Sequence, residues 1–483
     1  MKRKKTFYIT TTLVILLIII FFLPRIFSTR PGTDFLLKRI ERKTNSTIKI
    51  ESFNLTWFGP QIIKKLNYKD QNLSLQVESI ISNMSLFSFY KSLKSYKKLN
   101  FFANTDINNL NVQFHFPNLP QASFHNVNAF IKADMKGLNS ININGQTTEN
   151  NKTGKFNALI NFQKNKIYTK IVGTNIPTIG IDQLFFYNNK KYQNLLVQFL
   201  GPSLNLEIDS ILDNLTGPIN IDLNSSYSQA KLNIFYEKDK ITLQDTATII
   251  FNLPGINPNF IKNINYIKSI DPIIVRISKE DFSFPIFPFK LEKLNIKYAT
   301  LDLNRMIVSN TGAIRSITNF AKMPSSQVVS LWFTYVNLQI KNGILYTDRM
   351  DFLINDDVQL CLWGNVNLLN HNLKMYLGIT QDTLLAVFGI QNLPSDYVIK
   401  IPVKGTIENP KIDASAATAK ILALSTLQTG KGIGSIIGGV ITRIQKDEDI
   451  PPPKRPFPWE GKIKRKRSRQ PPIDLNNIFD LFK

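Results

Sequence analysis

After Glu41 the pattern of apolar and polar residues takes a period of two and mostly keeps it. The stretches "TIKI", "SLQV", "ININ", "FNALINFQ", "LNLEID", "INIDLNSSY" and "KLNIFYEKDKITL" all alternate. A period of two puts every second side chain on one face, which commits the chain to half-buried β-strands. Between these stretches stand clusters of Asn, Asp, Gly and Lys, residues that tolerate turn geometry. Strands recurring without long helices between them argue against parallel βαβ units and for antiparallel meanders.

The clearest case runs from Leu331 to Thr380. Val336, Leu338 and Ile340 alternate, and Asn342-Gly343 supplies a hairpin turn. Ile344 and Tyr346 follow, then Met350, Phe352 and Ile354. After Asn355-Asp356-Asp357 come Val358, Leu360, Leu362, Val366 and Leu368. A turn at Asn370-His371-Asn372 precedes Leu373, Met375, Leu377 and Ile379. This predicts a four-stranded meander with one continuous apolar face, and Asn337, Gln339, Gln359, Asn365, Asn367, Lys374 and Tyr376 on the other. Helices punctuate the strands. Phe35, Leu36, Leu37 and Ile40 recur at helix spacing, and residues 83–98, 255–270, 310–322, 382–388 and 414–427 are further candidates. The run "EDIPPPKRPFPWEGKIKRKRSRQPP" has proline spacing that forbids regular structure and predicts an extended linker.

Fifty-nine Lys and Arg against 35 Asp and Glu leave a formal charge of +24. Part of the excess sits in Lys2-Arg3-Lys4-Lys5 and part in residues 446–483; the remainder is diluted over the chain. That is a solvated basic surface, with no helix-turn-helix, zinc-finger or RNP pattern, so no nucleic acid is expected as a partner. Cys361 is the only cysteine, which excludes an intrachain disulfide. Thr6 to Pro24 carries no charge and approaches the length needed to cross a bilayer. The basic cluster before it predicts a cytosolic N-terminus. A cleaved signal peptide would need a shorter apolar run and a small-residue cleavage site, whereas "LPRIFSTRPG" follows. The expected organisation is therefore a basic cytoplasmic stub (1–5), a transmembrane signal anchor (6–24), an extracytoplasmic β-domain (30–445) and a Pro-rich basic tail (446–483).

Residues that carry chemistry are sparse. His115, His125 and His371 are isolated and at no metal-ligand spacing. "GKGIG" at 430–434 lacks the Walker pattern, and there is no G-x-S-x-G or H-E-x-x-H. No enzyme activity, metal or cofactor is expected.

Two segments resemble the AsmA-like family of bacterial envelope proteins. One is "KIESFNLTWFGPQIIKKLNYKDQNLSLQVESI" (49–80), with its tryptophan corner between strands. The other is "GNVNLLNHNLKMYLGITQDTLLAVFGIQNLPSDYVIKIPVKGTIENPKIDASAATAKIL" (364–422), with Ile401-Pro402-Val403, Gly405-Thr406, Asn409-Pro410 and an Ala-rich helix. The tail after Gln445 departs from the family pattern. The resemblance implies a mainly β protein: a transmembrane helix, then a long twisted antiparallel sheet curled into a hydrophobic groove, with a few short helices. It further implies an inner-membrane, single-pass protein whose bulk is periplasmic and which carries phospholipid acyl chains toward the outer membrane.

On that reading the groove is lined by Val336, Leu338, Ile340, Phe352, Ile354, Val358, Leu360, Leu362, Leu373, Met375, Leu377 and Ile379. Trp57 and Phe58 sit at the membrane–water interface, or Trp57 plugs the narrow end of the trough. Lys462, Lys464, Arg465, Lys466, Arg467 and Arg469 form a basic cluster suited to an anionic surface or an outer-membrane or envelope partner. The competing reading is a non-enzymatic scaffold that assists outer-membrane protein assembly or envelope integrity, its sheet covered by protein. Whether the apolar parity faces an open groove or another protein layer separates the two.

Overall fold

A computed structural model describes residues 22–86, 104–116, 121–134, 137–149, 152–185, 194–238, 240–255, 265–285, 290–320, 323–407, 409–413, 415–429 and 450–463. The chain divides into two compact units, Met1–Ser226 and Tyr227–Lys483.

Unit 1 opens with a helical stretch at 22–28 and α1 (Arg30–Thr44). Thr29 caps α1 by accepting the Gly32 N–H, and Asn45 ends it in the left-handed region at φ 51°. The strands are β1 (Thr47–Lys49), β2 (Ser52–Asn54), β3 (Gln61–Lys69), β4 (Leu73–Ser82), β5 (Thr105–Phe114), β6 (Ala122–Asp134), β7 (Gly137–Glu149), β8 (Lys152–Gln163), β9 (Lys166–Pro177), β10 (Ser203–Asp213) and β11 (Gly217–Ser225). Both β1 and β2 pair with β3. From β3 to β11 each strand pairs antiparallel with the next, as the period of two requires. The corner Trp57-Phe58-Gly59-Pro60 lies in the β2–β3 loop. The Gln61 carboxamide latches it, accepting the Thr56 N–H (2.9 Å) and donating to the Thr56 and Gly59 carbonyls (2.8 and 2.9 Å). Phe58 stands 79% exposed at its tip.

The abundant asparagines do more in unit 1 than form turns. Asn109 and Asn126 adopt positive φ (50° and 51°) where the β5–β6 register slips. Each bulge frees a backbone N–H, and an asparagine on the neighbouring strand takes it. Asn128 Oδ1 accepts the Asn109 N–H and Asn111 Oδ1 the Asn126 N–H, both at 3.0 Å. Asn175 repeats the device against Asn205 Oδ1 (2.7 Å) at the β9–β10 slip. Two helices unforeseen in the sequence, α2 (Thr178–Phe185) and α3 (Leu195–Leu200), interrupt the meander between β9 and β10. Ile179 of α2 packs on Phe114, Phe116 and Ala122. Asp182 is fully buried and accepts the N–H groups of Asn194 (2.6 Å) and Leu196 (2.8 Å) at the start of α3. Burial raises its carboxyl above the usual range, and those two N–H bonds only partly offset it.

Unit 2 contains β12 (Ser228–Glu237), β13 (Lys240–Leu243), β14 (Ala247–Phe251), β15 (Ile267–Ser269), β16 (Ile273–Ile277), β17 (Phe284–Pro285), β18 (Ile296–Asp302), β19 (Arg305–Ser309), β20 (Val328–Phe333), β21 (Val336–Lys341), β22 (Ile344–Ile354), β23 (Val358–Asn367), β24 (Leu373–Thr380), β25 (Val398–Thr406) and β26 (Asn409–Ile412). It also has helices α4 (Gly312–Phe320), α5 (Gln381–Phe388) and α6 (Ser415–Thr429). β22 is a fork: its first half pairs with β21 and its last residues with β20. On its other side β22–β23–β24–β25–β26 form the expected meander. Asn342 and Gly343 both have positive φ, as a tight hairpin needs.

Within β21–β24 the expected parity holds except in the first half of β22, where the register shift between Thr347 and Met350 puts Ile344 and Tyr346 opposite Asn367 and Asn365 on the polar face. The groove does not hold. The sheet is open and not strongly curled, and its apolar face is covered by the chain itself. Leu384, Val387 and Phe388 of α5, with Ala417, Ile421 and Leu424 of α6, share one core with Phe352, Ile354, Val358, Leu360, Met375, Leu377 and Ile379. Leu362 and Leu373 pack against that core half-buried. Val336 is buried, and Leu338 and Ile340 are half-buried beside it. Nine of the twelve residues expected to hold acyl chains share a core with the chain's own helices instead, so the phospholipid-carrier reading is corrected.

The membrane anchor is corrected as well. No helix among the described residues is long and apolar enough to cross a membrane, and most of the 6–24 segment lies outside them. The single-pass inner-membrane topology and its periplasmic placement lose their basis with it. Of the other helix expectations, 310–322 and 382–388 coincide with α4 and α5, and 414–427 coincides with α6. Residues 83–98 fall largely outside the described residues, as does the centre of 255–270; near the end of that range Ile267–Ser269 is a strand.

Ile379 and Leu384 are both fully buried in this core. Ile379→Ala or Leu384→Ala is expected to cost about 2–5 kcal/mol, read as a lower urea midpoint of the unit 2 transition. Asp182 gives a pH signature. A carboxyl raised in the folded state contributes stability that is present below its unfolded value and lost as pH rises through the folded value. The stability advantage of wild type over Asp182→Asn should therefore shrink as pH rises from about 4 toward neutrality, measured by thermal unfolding in a pH series.

Candidate functional site

The second face of the same sheet was expected to be polar. At Asn337, Gln339, Asn365 and Lys374 it is. Between these, Leu353, Cys361, Trp363 and Val398 point the same way and are buried. Four apolar side chains on the face opposite a full core need a second cover. Residues 450–463, "IPPPKRPFPWEGKI", provide it.

This strap has neither helix nor strand. Five prolines in fourteen residues remove backbone donors and keep it out of the ladder. It docks through side chains instead. Phe457 and Trp459 are buried, stacked on each other at 5.1 Å, and packed on Leu353. Trp459 meets Trp332 edge-on at 6.3 Å. Burying rings of this kind contributes about 1.5–3 kcal/mol each, so this pair is the strap's principal anchor. Ile450 packs at the other end against the Cys361, Trp363 and Val398 cluster.

A bulge in β22 supplies the polar contacts. Thr347 pairs with Gly364 and Met350 with Leu362, so Asp348 and Arg349 together oppose Trp363. A bulge of two residues against one re-aims its side chains, and both of these serve the strap. Asp348 accepts a 2.7 Å ion pair from Lys454 Nζ, which also donates to the Tyr335 carbonyl (2.9 Å) and lies 4.4 Å from the Tyr335 ring centroid. The Arg349 guanidinium pairs with Asp351 through two hydrogen bonds (2.9 and 2.7 Å) and donates to the Pro451 carbonyl (3.3 Å). Arg349 is 3% exposed and Asp351 0%. The buried charges are thus paired with each other and roofed by the strap. Arg455 reaches the Ser395 carbonyl (3.4 Å).

Cations accompany several of the rings on this face. Arg305 lies 5.2 Å and Lys462 5.5 Å from Trp332, and Lys400 lies 3.9 Å from Tyr376. Beyond Asp348 the face continues into an open depression of about 700 Å³ bordered by Arg276, Lys297, Tyr298, Asn337, Gln339 and Tyr346.

The expected basic cluster meets this site only at Lys462; Lys464, Arg465, Lys466, Arg467 and Arg469 lie outside the described residues. The outer-membrane or envelope contact expected of the tail is corrected to that extent. What the described part of the tail contacts is the chain's own sheet. The histidines remain apart: His115 meets Ser74 (3.0 Å) and His125 meets Ser123 (2.6 Å). No group of three or more metal-ligating side chains occurs among the described residues. Cys361 is fully buried, and burial pushes its thiol up to about 12, so it is protonated and inert at neutral pH.

The strap was missed because proline spacing says only that a segment is irregular, not whether it is free. Two signals were present: the apolar residues Trp332, Leu353, Cys361, Trp363 and Val398 on the face meant to be polar, and an aromatic pair inside a proline-rich run. No family model, curated protein or solved structure matches the chain.

The Arg349–Asp351 pair gives a test of the site. Asp351→Asn strands a buried guanidinium and is expected to cost about 3–5 kcal/mol, while the apolar double replacement Arg349→Met with Asp351→Leu recovers most of it, both read from urea unfolding. Cys361 gives a second. Its thiol should resist alkylation in the native protein at pH 8 and react fully in 6 M guanidinium.

Proposed function

We propose that this chain is a non-enzymatic scaffold, a rigid β framework that assists the assembly of other proteins or the integrity of a cell envelope. The observation that carries the reading is the double cover of β22–β25, with α5 and α6 on one face and the strap on the other. Such an element offers a fixed shape and surface, and no apolar trough for a transported molecule. The resemblance of residues 49–80 and 364–422 to AsmA-like envelope proteins supplies the envelope part. The scaffold part also accords with the dispersed basic charge and with a ring-and-cation face suited to holding extended segments.

In-cell photo-crosslinking from within the core tests it. A photoreactive residue at Leu362 or Leu373 of the full chain, both half-buried on the apolar face, is expected to give adducts within the chain itself. Acyl-chain adducts at those positions, identified by mass spectrometry, would overturn the scaffold reading.

A further inference from the structure

We infer that the strapped face of β20–β25 is a receptor for the strap of a second copy of this chain, so that residues 450–463 exchange between copies. The inference rests on the scaffold reading and gives it a partner. Three observations lead to it.

First, the strap is held as a peptide ligand is held. It adds no strand to the sheet, and its hold concentrates in one stacked pair, Phe457 and Trp459, ringed by the Lys454–Asp348 ion pair and the Arg455–Ser395 bond. A buried aromatic anchor with a polar rim is the usual anatomy of an intermolecular contact. Proline-rich segments docking on aromatic floors are also a recurrent recognition mode, because little chain entropy is lost.

Second, each copy carries both halves: the floor (Trp332, Tyr335, Leu353, Trp363) and the segment that fits it. Exchange therefore requires no new complementarity, and every contact made in cis is remade in trans.

Third, the connection permits it. Twenty residues, 430–449, separate α6 from the strap, and a chain of that length reaches up to about 70 Å. The floor also continues past the strap into the Tyr298 and Tyr346 depression, so the docking face extends beyond what one strap fills. A tethered segment sees its site at an effective concentration on the order of millimolar. Cis docking therefore dominates in dilute wild-type protein, and exchange emerges where copies are concentrated or a cis strap is weakened.

Complementation between two defective full-length chains tests this. Copy A carries Trp332→Ala, which damages the floor and leaves the strap intact. Copy B carries Phe457→Ala with Trp459→Ala, which disables the strap and leaves the floor. Cys361 lies beneath Ile450 and reports cover, and intact mass separates the two copies during alkylation. B alone should label at least tenfold faster than wild type. An excess of A should return B toward the wild-type rate, with a 1:1 complex in native mass spectrometry. A copy A that also carries B's strap substitutions should do neither.

If A and B both keep wild-type circular dichroism, yet form no complex and A leaves the labelling of B unchanged, the inference is overturned. Should B fail to fold, Lys454→Ala replaces it. That variant keeps both rings, and a smaller acceleration reversed by A is the expected result. Protection by a synthetic 450–463 peptide but not by copy A overturns the second copy as occupant and points to a separate proline-rich protein. Acyl adducts at Leu362 would sink the scaffold reading while leaving this association independently readable.

Discussion

In β22–β25 the sheet is apolar on both faces at once, and neither face can be left to water. Leu360, Leu377 and Ile379 require cover on one side, and Leu353, Cys361, Trp363 and Val398 on the other. The rest of unit 2 follows from meeting both demands. The first is met by local chain: α5 leaves β24 directly, and its Thr383 hydroxyl takes the Gln359 N–H (2.9 Å). The second is met from a hundred residues away, since Arg349 and Pro451, or Asp348 and Lys454, are distant in sequence. A fold that closes one face locally and the other remotely assembles those covers through different contacts, and the remote one is the more separable.

The β22 bulge joins the two requirements. Without the extra residue, Asp348 and Arg349 would fall on opposite faces and one charge would enter the apolar core. With it, both charges stay on the strap side while Met350, Phe352 and Ile354 keep the core parity. A buried ion pair is weak evidence for stability, because desolvation offsets the attraction. Its worth here is positional. Asp351 fixes the guanidinium of Arg349, and the guanidinium fixes where the Pro451 carbonyl lies, so the strap has one register on the sheet.

What was legible in the sequence follows from what periodicity encodes. The alternation around Leu338, Leu360 and Leu377 marked strands, hairpins and one apolar face, wrong only for Ile344 and Tyr346 because alternation does not show the β22 bulge. Ala-rich residues 414–427 marked a helix. Periodicity says which face an apolar residue shares but not what covers that face. The step from apolar face to lipid groove therefore assumed too few helices, whereas α5 and α6 share the core of β22–β25. The asparagines misled for another reason. In turns they tolerate positive φ, as at Asn342, but at Asn109, Asn126 and Asn175 the same tolerance serves bulges whose freed N–H groups are taken by asparagines one strand away. Composition cannot distinguish the two uses, because the partner amide is set by tertiary register.

The strap shows the same limit in its sharpest form. Proline at 451, 452, 453, 456 and 458 rules out helix and ladder, and from that a free linker was a natural expectation. Yet the loss of backbone donors is what lets the segment lie on a finished sheet face without leaving buried N–H groups unpaired. Its chain is already restricted before it docks, so ordering it costs less entropy than ordering a general loop. Two rings and a lysine are then enough to hold it. An irregular run that contains Phe-Pro-Trp between basic residues has the means to bind a surface, and on this chain the surface with matching rings and carboxylate is its own.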